Sequence, residues 1–135
     1  IGSNHDDPSS VQISKKEVIE ICQNAASQNQ DDFNSQIAVF LTGENDPFVT
    51  PDYPVLSAKS MASVYAVDHQ QVTTPAIPNT KATNYSGRVL SVIADDTGHA
   101  WAGGSGASGA HIEDTVDYSE IIGKFFVENN RRIKR

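Results

Sequence analysis

The spacing of apolar residues changes period several times along this chain. Residues 1 to 10 are polar, with Pro8 between Asp7 and two serines, and predict a poorly ordered leader. Ser14 and Glu17 then form a capping-box pattern, with Ile13 and Val18 placed as a hydrophobic staple. Val18, Ile21, Cys22 and Ala25, followed by Asn29, recur at three- and four-residue spacing and predict an amphipathic helix, which Asp31-Asp32 should end or bend. Gln36 to Thr42 reads as a strand and residues 43 to 47 as a turn. Three prolines in residues 47 to 56 argue against a central strand and predict a surface loop. Between Ser57 and His69, Ala58, Met61, Ala62 and Tyr65 sit at helical spacing while Val64, Tyr65 and Val67 favour extended structure; the expectation adopted is a strand over 60 to 67. Residues 70 to 86, rich in Thr and Asn with Pro75 and Pro78, read as a long connection.

Gly87 to Gly109 looks like the centre of the fold. Val89 to Ala94 is β-branched and apolar apart from Ser91, as in a strand covered on both faces. Asp95 to Gly98 supplies turn chemistry, and His99 to Ala102 is the expected return strand of a hairpin. Residues 103 to 109 are glycine-rich and predict a flexible linker. Asp117 with Glu120 repeats the capping logic, and Val116 with Ile121 repeats the staple. Tyr118, Ile121, Ile122 and Phe125 then mark a second helix ending near Asn129-Asn130, with a strand over 121 to 127 as the competing pattern because of Gly123. The expected fold class is α+β: one domain over 11 to 130, a small mostly antiparallel sheet from 36–42, 60–67, 88–94 and 99–102, an N-terminal and a C-terminal helix, and a basic tail at 131–135.

Charge narrows the partners. The chain of 135 residues carries a formal charge of −7. Arg131, Arg132, Lys134 and Arg135 hold four of its ten basic residues. An acidic body disfavours nucleic acid and anionic membrane, both of which attract clustered Lys and Arg; only the tail offers a membrane contact or a dibasic processing site. One cysteine excludes an intrachain disulfide and a cysteine zinc cluster. No stretch is long and apolar enough to span a bilayer. The polar fraction leans on Ser, Thr, Asn and Gln, which favours a periplasmic, secreted or surface location.

Three constellations bear on function. Cys22, His99 and an acid from Asp114 or Asp117 have the residue types and chain order of a papain- or transglutaminase-like triad. His99-Ala100-Trp101 on a strand is similar to the histidine motif of transglutaminase-like proteins, and the resemblance implies acyl transfer or hydrolysis by Cys22. The cysteines of that family sit near a helix start, where the dipole lowers the thiol pKa, whereas Cys22 is expected mid-helix. His99, His111 and Glu113, with Asp114 and Asp117 nearby, form a possible zinc or manganese set but lack the Asp-x-Asp-x-Asp rhythm of hard-cation loops. The glycine-rich run lacks the Lys-Ser/Thr ending of a nucleotide-binding loop, and no cofactor is expected. Asn84-Tyr85-Ser86 matches a glycosylation sequon. The third constellation needs no catalysis: Tyr53, Tyr85 and Trp101 as exposed aromatic anchors of a binding or assembly module, with a protein partner or a second copy pairing at a sheet edge. The absence of a strong catalytic motif favours this last expectation.

Overall fold

In the computed structural model, residues 14–109 and 111–132 are described. The leader, Ile13 and the end of the basic tail lie outside them. Helix α1 spans Lys15–Ala26 and begins with the predicted capping box: the Glu17 N–H donates to Ser14 Oγ at 3.2 Å and the Ser14 N–H to Glu17 Oε2 at 2.7 Å. Its inward stripe is Ile19, Cys22 and Ala26, so the expected stripe is rotated and Ile21 faces out. Both patterns run through Cys22 at helical spacing, and only packing against the next layer decides between them. Asp31 and Asp32 do not end α1; they open a separate helix, α2 (Gln30–Ser35), where acids oppose the positive end of the dipole.

Strand β1 (Ala38–Gly43) agrees with expectation. The following segment does not. Residues 47–56 are not all loop, and 60–67 is not a strand, because helix α3 runs Asp52–Val64. Pro51 caps it and Pro54 lies in its first turn, where backbone N–H groups need no intrahelical acceptor. Ala58 and Ala62 are fully buried on the face packed against the sheet, and such small side chains let helix and sheet approach closely. The helix ends in a Schellman arrangement: the Val67 N–H donates to the Ala62 carbonyl and the Ala66 N–H to the Ser63 carbonyl, with Ala66 at φ +56°.

Residues 70–86, expected to be unstructured connection, supply β2 (Val72–Thr73) and β3 (Thr80–Tyr85). β3 is the true hairpin partner of β4 (Val89–Ala94), through a turn with Ser86 and Gly87 at positive φ. The order of the mixed sheet is β1-β4-β3-β2. β1 and β4 are parallel and the other two pairings antiparallel. The expected return strand fails. His99 and Ala100 lie outside any strand, and β5 (Trp101–Ala102) pairs in parallel with β6 (Ile112–Glu113) in a separate two-stranded sheet. The glycine-rich run between them is tied down rather than a free linker: the Gly103 and Gly104 N–H groups donate to the Glu113 and Val116 carbonyls. Helix α4 (Tyr118–Asn129) follows, with Asp117 Oδ1 accepting from the Glu120 N–H at 2.9 Å; the strand pattern over 121–127 is not adopted.

The fold is therefore α+β with helices on both faces of the larger sheet. Alternation divides the strands. Ala38, Phe40, Tyr85 and Val89 face α1, α2 and α3, while Val39, Leu41, Ala82, Leu90 and Val92 face Ile121 and Phe125 of α4. β4 is buried along nearly its whole length, as its composition predicts.

Arg88 locks one end. It is 6% exposed, and its guanidinium donates to the carbonyls of Gln36 (3.2 Å), Tyr65 (3.2 Å) and Phe33 (2.9 Å) while lying 4.0 Å from the centre of the Tyr65 ring. Those carbonyls terminate α2 and α3, so one cation satisfies two helix C-termini. Burial, with a smaller effect of Arg131, pulls its pKa below the ordinary arginine value, yet an arginine side chain stays charged.

Two stability outcomes follow from these contacts. Arg88→Leu removes the donors from three carbonyls, that of Tyr65 buried and those of Gln36 and Phe33 half-buried, and should cost about 2–3 kcal/mol, measured by urea unfolding; a change within about 0.5 kcal/mol would refute the clamp. Ala66→Gly should stabilise by about 0.5–1 kcal/mol, because glycine occupies the left-handed cap without the steric penalty alanine bears. A lower thermal midpoint for that variant would contradict the assigned cap.

Candidate functional site

A cavity of about 570 Å³ opens beside the C-terminal end of β1, between the 43–49 turn, the 97–101 loop and the start of α4. Gly43 makes the junction possible. A Cβ there would meet the Thr97 carbonyl oxygen at 2.2 Å and that of Gly98 at 2.4 Å, so no side chain fits where the two loops cross. The loops are cross-bonded as well: the Glu44 N–H donates to the Ala94 carbonyl and the Asn45 N–H to the Thr97 carbonyl. Glu113 completes the support, its carboxylate accepting the Gly98 N–H at 3.0 and 3.2 Å.

This framework places His99 against Asp46, with Nδ1 2.8 Å from Oδ2. Asp46 Oδ1 also accepts the N–H groups of Phe48 (2.8 Å) and Val49 (2.9 Å), and its side chain is 9% exposed. Burial alone would raise the Asp46 carboxyl pKa, but the Val49 and Phe48 N–H groups and His99 outweigh it and hold the group below its ordinary value. An ionised carboxylate only accepts, so the Nδ1 proton faces Asp46, and in the neutral form of the ring Nε2 is left as an acceptor.

Tyr118 lies on the same cavity. It is 3% exposed, and its hydroxyl has no hydrogen-bond partner among the described residues. Burial, reinforced by the negative charges of Glu113 and Asp46, pushes its pKa up to about 12, so it remains a donor. The Trp101 ring meets the Tyr118 ring edge-on at 5.5 Å and 87°, while Phe48 meets the His99 imidazole at 5.1 Å and 71°. Phe48 and Trp101 remain 66% and 47% exposed, and Val49 and Ile112 are exposed beside them.

The residues singled out by sequence fall apart and regroup. Cys22 packs on the buried cluster that includes Ala58, Ala62 and Tyr65, on the side where α1 meets α3, while His99 engages Asp46 and Phe48; the structure does not bring Cys22 and His99 together. Asp114 is exposed, and Asp117 is spent on the α4 cap. His99 and His111 share the cavity, but Glu113 is committed to the Gly98 N–H, and among the described residues no three His, Cys, Asp or Glu side chains gather to hold a metal ion. Of the expected aromatic anchors, Trp101 flanks the cavity, Tyr53 is half-buried on the first turn of α3, and Tyr85 is buried in the core rather than exposed. The sequon Asn84 accepts the Gly87 N–H inside the hairpin turn. Asp46, Phe48 and Tyr118 were not anticipated as a site. The only local signal was an Asp-Pro turn followed by two apolar residues.

A second cavity, of about 500 Å³, lies between α4 and residues 75–79. Its side chains Asn84, Asp117 and Asn129 bond to backbone groups, and among the described residues none that lines it has a buried side-chain nitrogen or oxygen without a partner.

Comparison with known proteins identifies no relative: no protein-family model matches the chain and no curated protein is detectably similar to it.

Tyr118 yields a direct test. An unpartnered buried hydroxyl destabilises the free protein, so Tyr118→Phe should leave stability unchanged or raise it by up to about 1 kcal/mol in chemical unfolding. A loss of more than about 1 kcal/mol would mean that the hydroxyl already has a partner in the folded chain.

Proposed function

We propose that this chain is a non-enzymatic recognition module and that its contact site is the cavity lined by Trp101, Tyr118 and His99. One observation carries the proposal. Exposed Val49 and Trp101 line the cavity, Phe48 lies against His99 and Ile112 pairs with Trp101 beside it, and Tyr118 on the same cavity has a buried hydroxyl with no partner among the described residues, so apolar area and a hydrogen-bond donor occur at one place. Scattered exposed apolar residues need no explanation, whereas a cluster around an unsatisfied donor is the composition of an interaction site. Trp and Tyr are also the residues that most often dominate binding energy, because they bury large area with few rotatable bonds.

The partner class is a protein segment, supplied by another protein or by a second copy of the chain. The acidic balance of the sequence disfavours nucleic acid and anionic lipid. Among the described residues no helix is long and apolar enough to cross a membrane. The Ser-, Thr-, Asn- and Gln-rich composition supports a place outside the cytoplasm.

Selection of a random-peptide phage library on the wild-type chain, in parallel with a folded Trp101→Ala variant, tests this. Peptide families should emerge on the wild type and bind the variant about 30-fold or more weakly, the loss expected at a dominant anchor. Equal recovery on both proteins, or no enrichment on either, would reject the site as a recognition surface.

A further inference from the structure

Ligand chemistry can be read from what the cavity leaves unsatisfied. Asp46 and Glu113 are already bonded: Asp46 to two backbone N–H groups and His99, Glu113 to the Gly98 N–H. Of the lining side chains, Tyr118 keeps a hydroxyl donor with no partner among the described residues, and exposed His111 adds ring nitrogens that can donate or accept. The indole N–H of half-exposed Trp101 adds donor capacity at the rim. The walls are aromatic and aliphatic, from Trp101, Val49 and Leu41, with Phe48 next to them on the His99 ring.

This combination selects among ligands. A carboxylate or phosphate would approach the Asp46 and Glu113 charges and be repelled. A saccharide brings many hydroxyls, most of which would find no free partner on such apolar walls. A segment rich in proline brings what the cavity lacks: carbonyl acceptors without N–H donors, and flat apolar rings that pack on aromatic side chains in an extended helix with little ordering entropy left to lose. His99 Nε2, beside the Asp46 carboxylate, is an acceptor that prolines cannot satisfy, but a neighbouring lysine or arginine can. The acidic balance of the sequence, 17 Asp and Glu against ten Lys and Arg, attracts the same residues.

Resting on the recognition-module proposal, we infer that the Trp101–Tyr118–His99 cavity binds an extended proline-rich peptide segment carrying an adjacent basic residue. Tyr118 donates to a peptide carbonyl, Trp101 and Phe48 flank the proline rings, and the basic side chain lies toward His99 and Asp46.

Trp101 is the only tryptophan in the chain and reports directly on the cavity. A synthetic polyproline peptide with an arginine at each end should give a saturable change in Trp101 emission. Tyr118→Phe, which keeps the ring, should bind it about fivefold more weakly, the worth of one hydrogen bond. Replacing the arginines by aspartates should weaken binding about tenfold or more. Three results would each overturn the inference: no saturable change, equal binding by an arginine-flanked Gly/Ser peptide of the same length, or binding that ignores Tyr118→Phe. Saturable binding of a neutral oligosaccharide in place of the peptide would overturn it as well. If library selection still recovers Trp101-dependent peptides that lack proline, the recognition module survives and only the proline assignment falls.

Discussion

The buried guanidinium of Arg88 is the contact on which the arrangement of layers depends. It follows the turn that joins β3 to β4, and its three donors end on Phe33, Gln36 and Tyr65, which close α2 and α3. No carboxylate is among its described partners. The charge is balanced by carbonyl oxygens at helix C-termini and by the face of Tyr65, each an oriented negative potential. Because the Arg88 carbonyl also accepts the Ala38 N–H, the same residue ties the start of β1 to β4 and so sets their parallel register. One residue thereby couples the sheet to the helices on one of its faces.

The opposite end of the same strands carries the proposed contact site, and its supports are of a different kind. β1 and β4 finish side by side at Gly43 and Ala94, and the loops that leave them cross over Gly43. That crossing is held by backbone hydrogen bonds and by the Glu113 carboxylate, above a buried apolar cluster of Ala94, Ala102, Val116 and Tyr118. The consequence is an open cavity whose polar groups are fixed in direction by their own partners, as with His99 on Asp46. The Tyr118 hydroxyl is the exception, and its burial without a partner opposes folding unless a ligand relieves it.

The same chemistry explains why the acyl-transfer pattern in the sequence does not assemble. A thiol nucleophile needs its base within hydrogen-bond reach, and Cys22 instead packs on the buried apolar cluster where α1 meets α3, as a small apolar side chain does. His99 does find an acid, but the acid is Asp46, 53 residues earlier in the chain, and not Asp114 or Asp117.

Local signals in the sequence determined a good part of this protein. The Ser14–Glu17 box, the Asp117 cap, the stripe of α4 and the doubly covered strand β4 are all short-range patterns, and each is set by groups within a few residues of one another. Where local preferences were balanced, only the tertiary structure decided. The prolines that argued against a strand at 51–54 turned out to start α3, because buried Ala58 and Ala62 gave that helix a face to pack on the sheet. The polar segment TKATNY became β3 because β4 needed a hydrogen-bonded neighbour, and the His99–Ala102 segment, which looked like that neighbour, was drawn to β6 instead. The rotation of α1, the pairing of Asp46 with His99 and the cavity around Tyr118 all rest on contacts between residues distant in sequence. Such contacts leave no periodicity for a single chain to display, since the geometry that creates them exists only once the layers have packed.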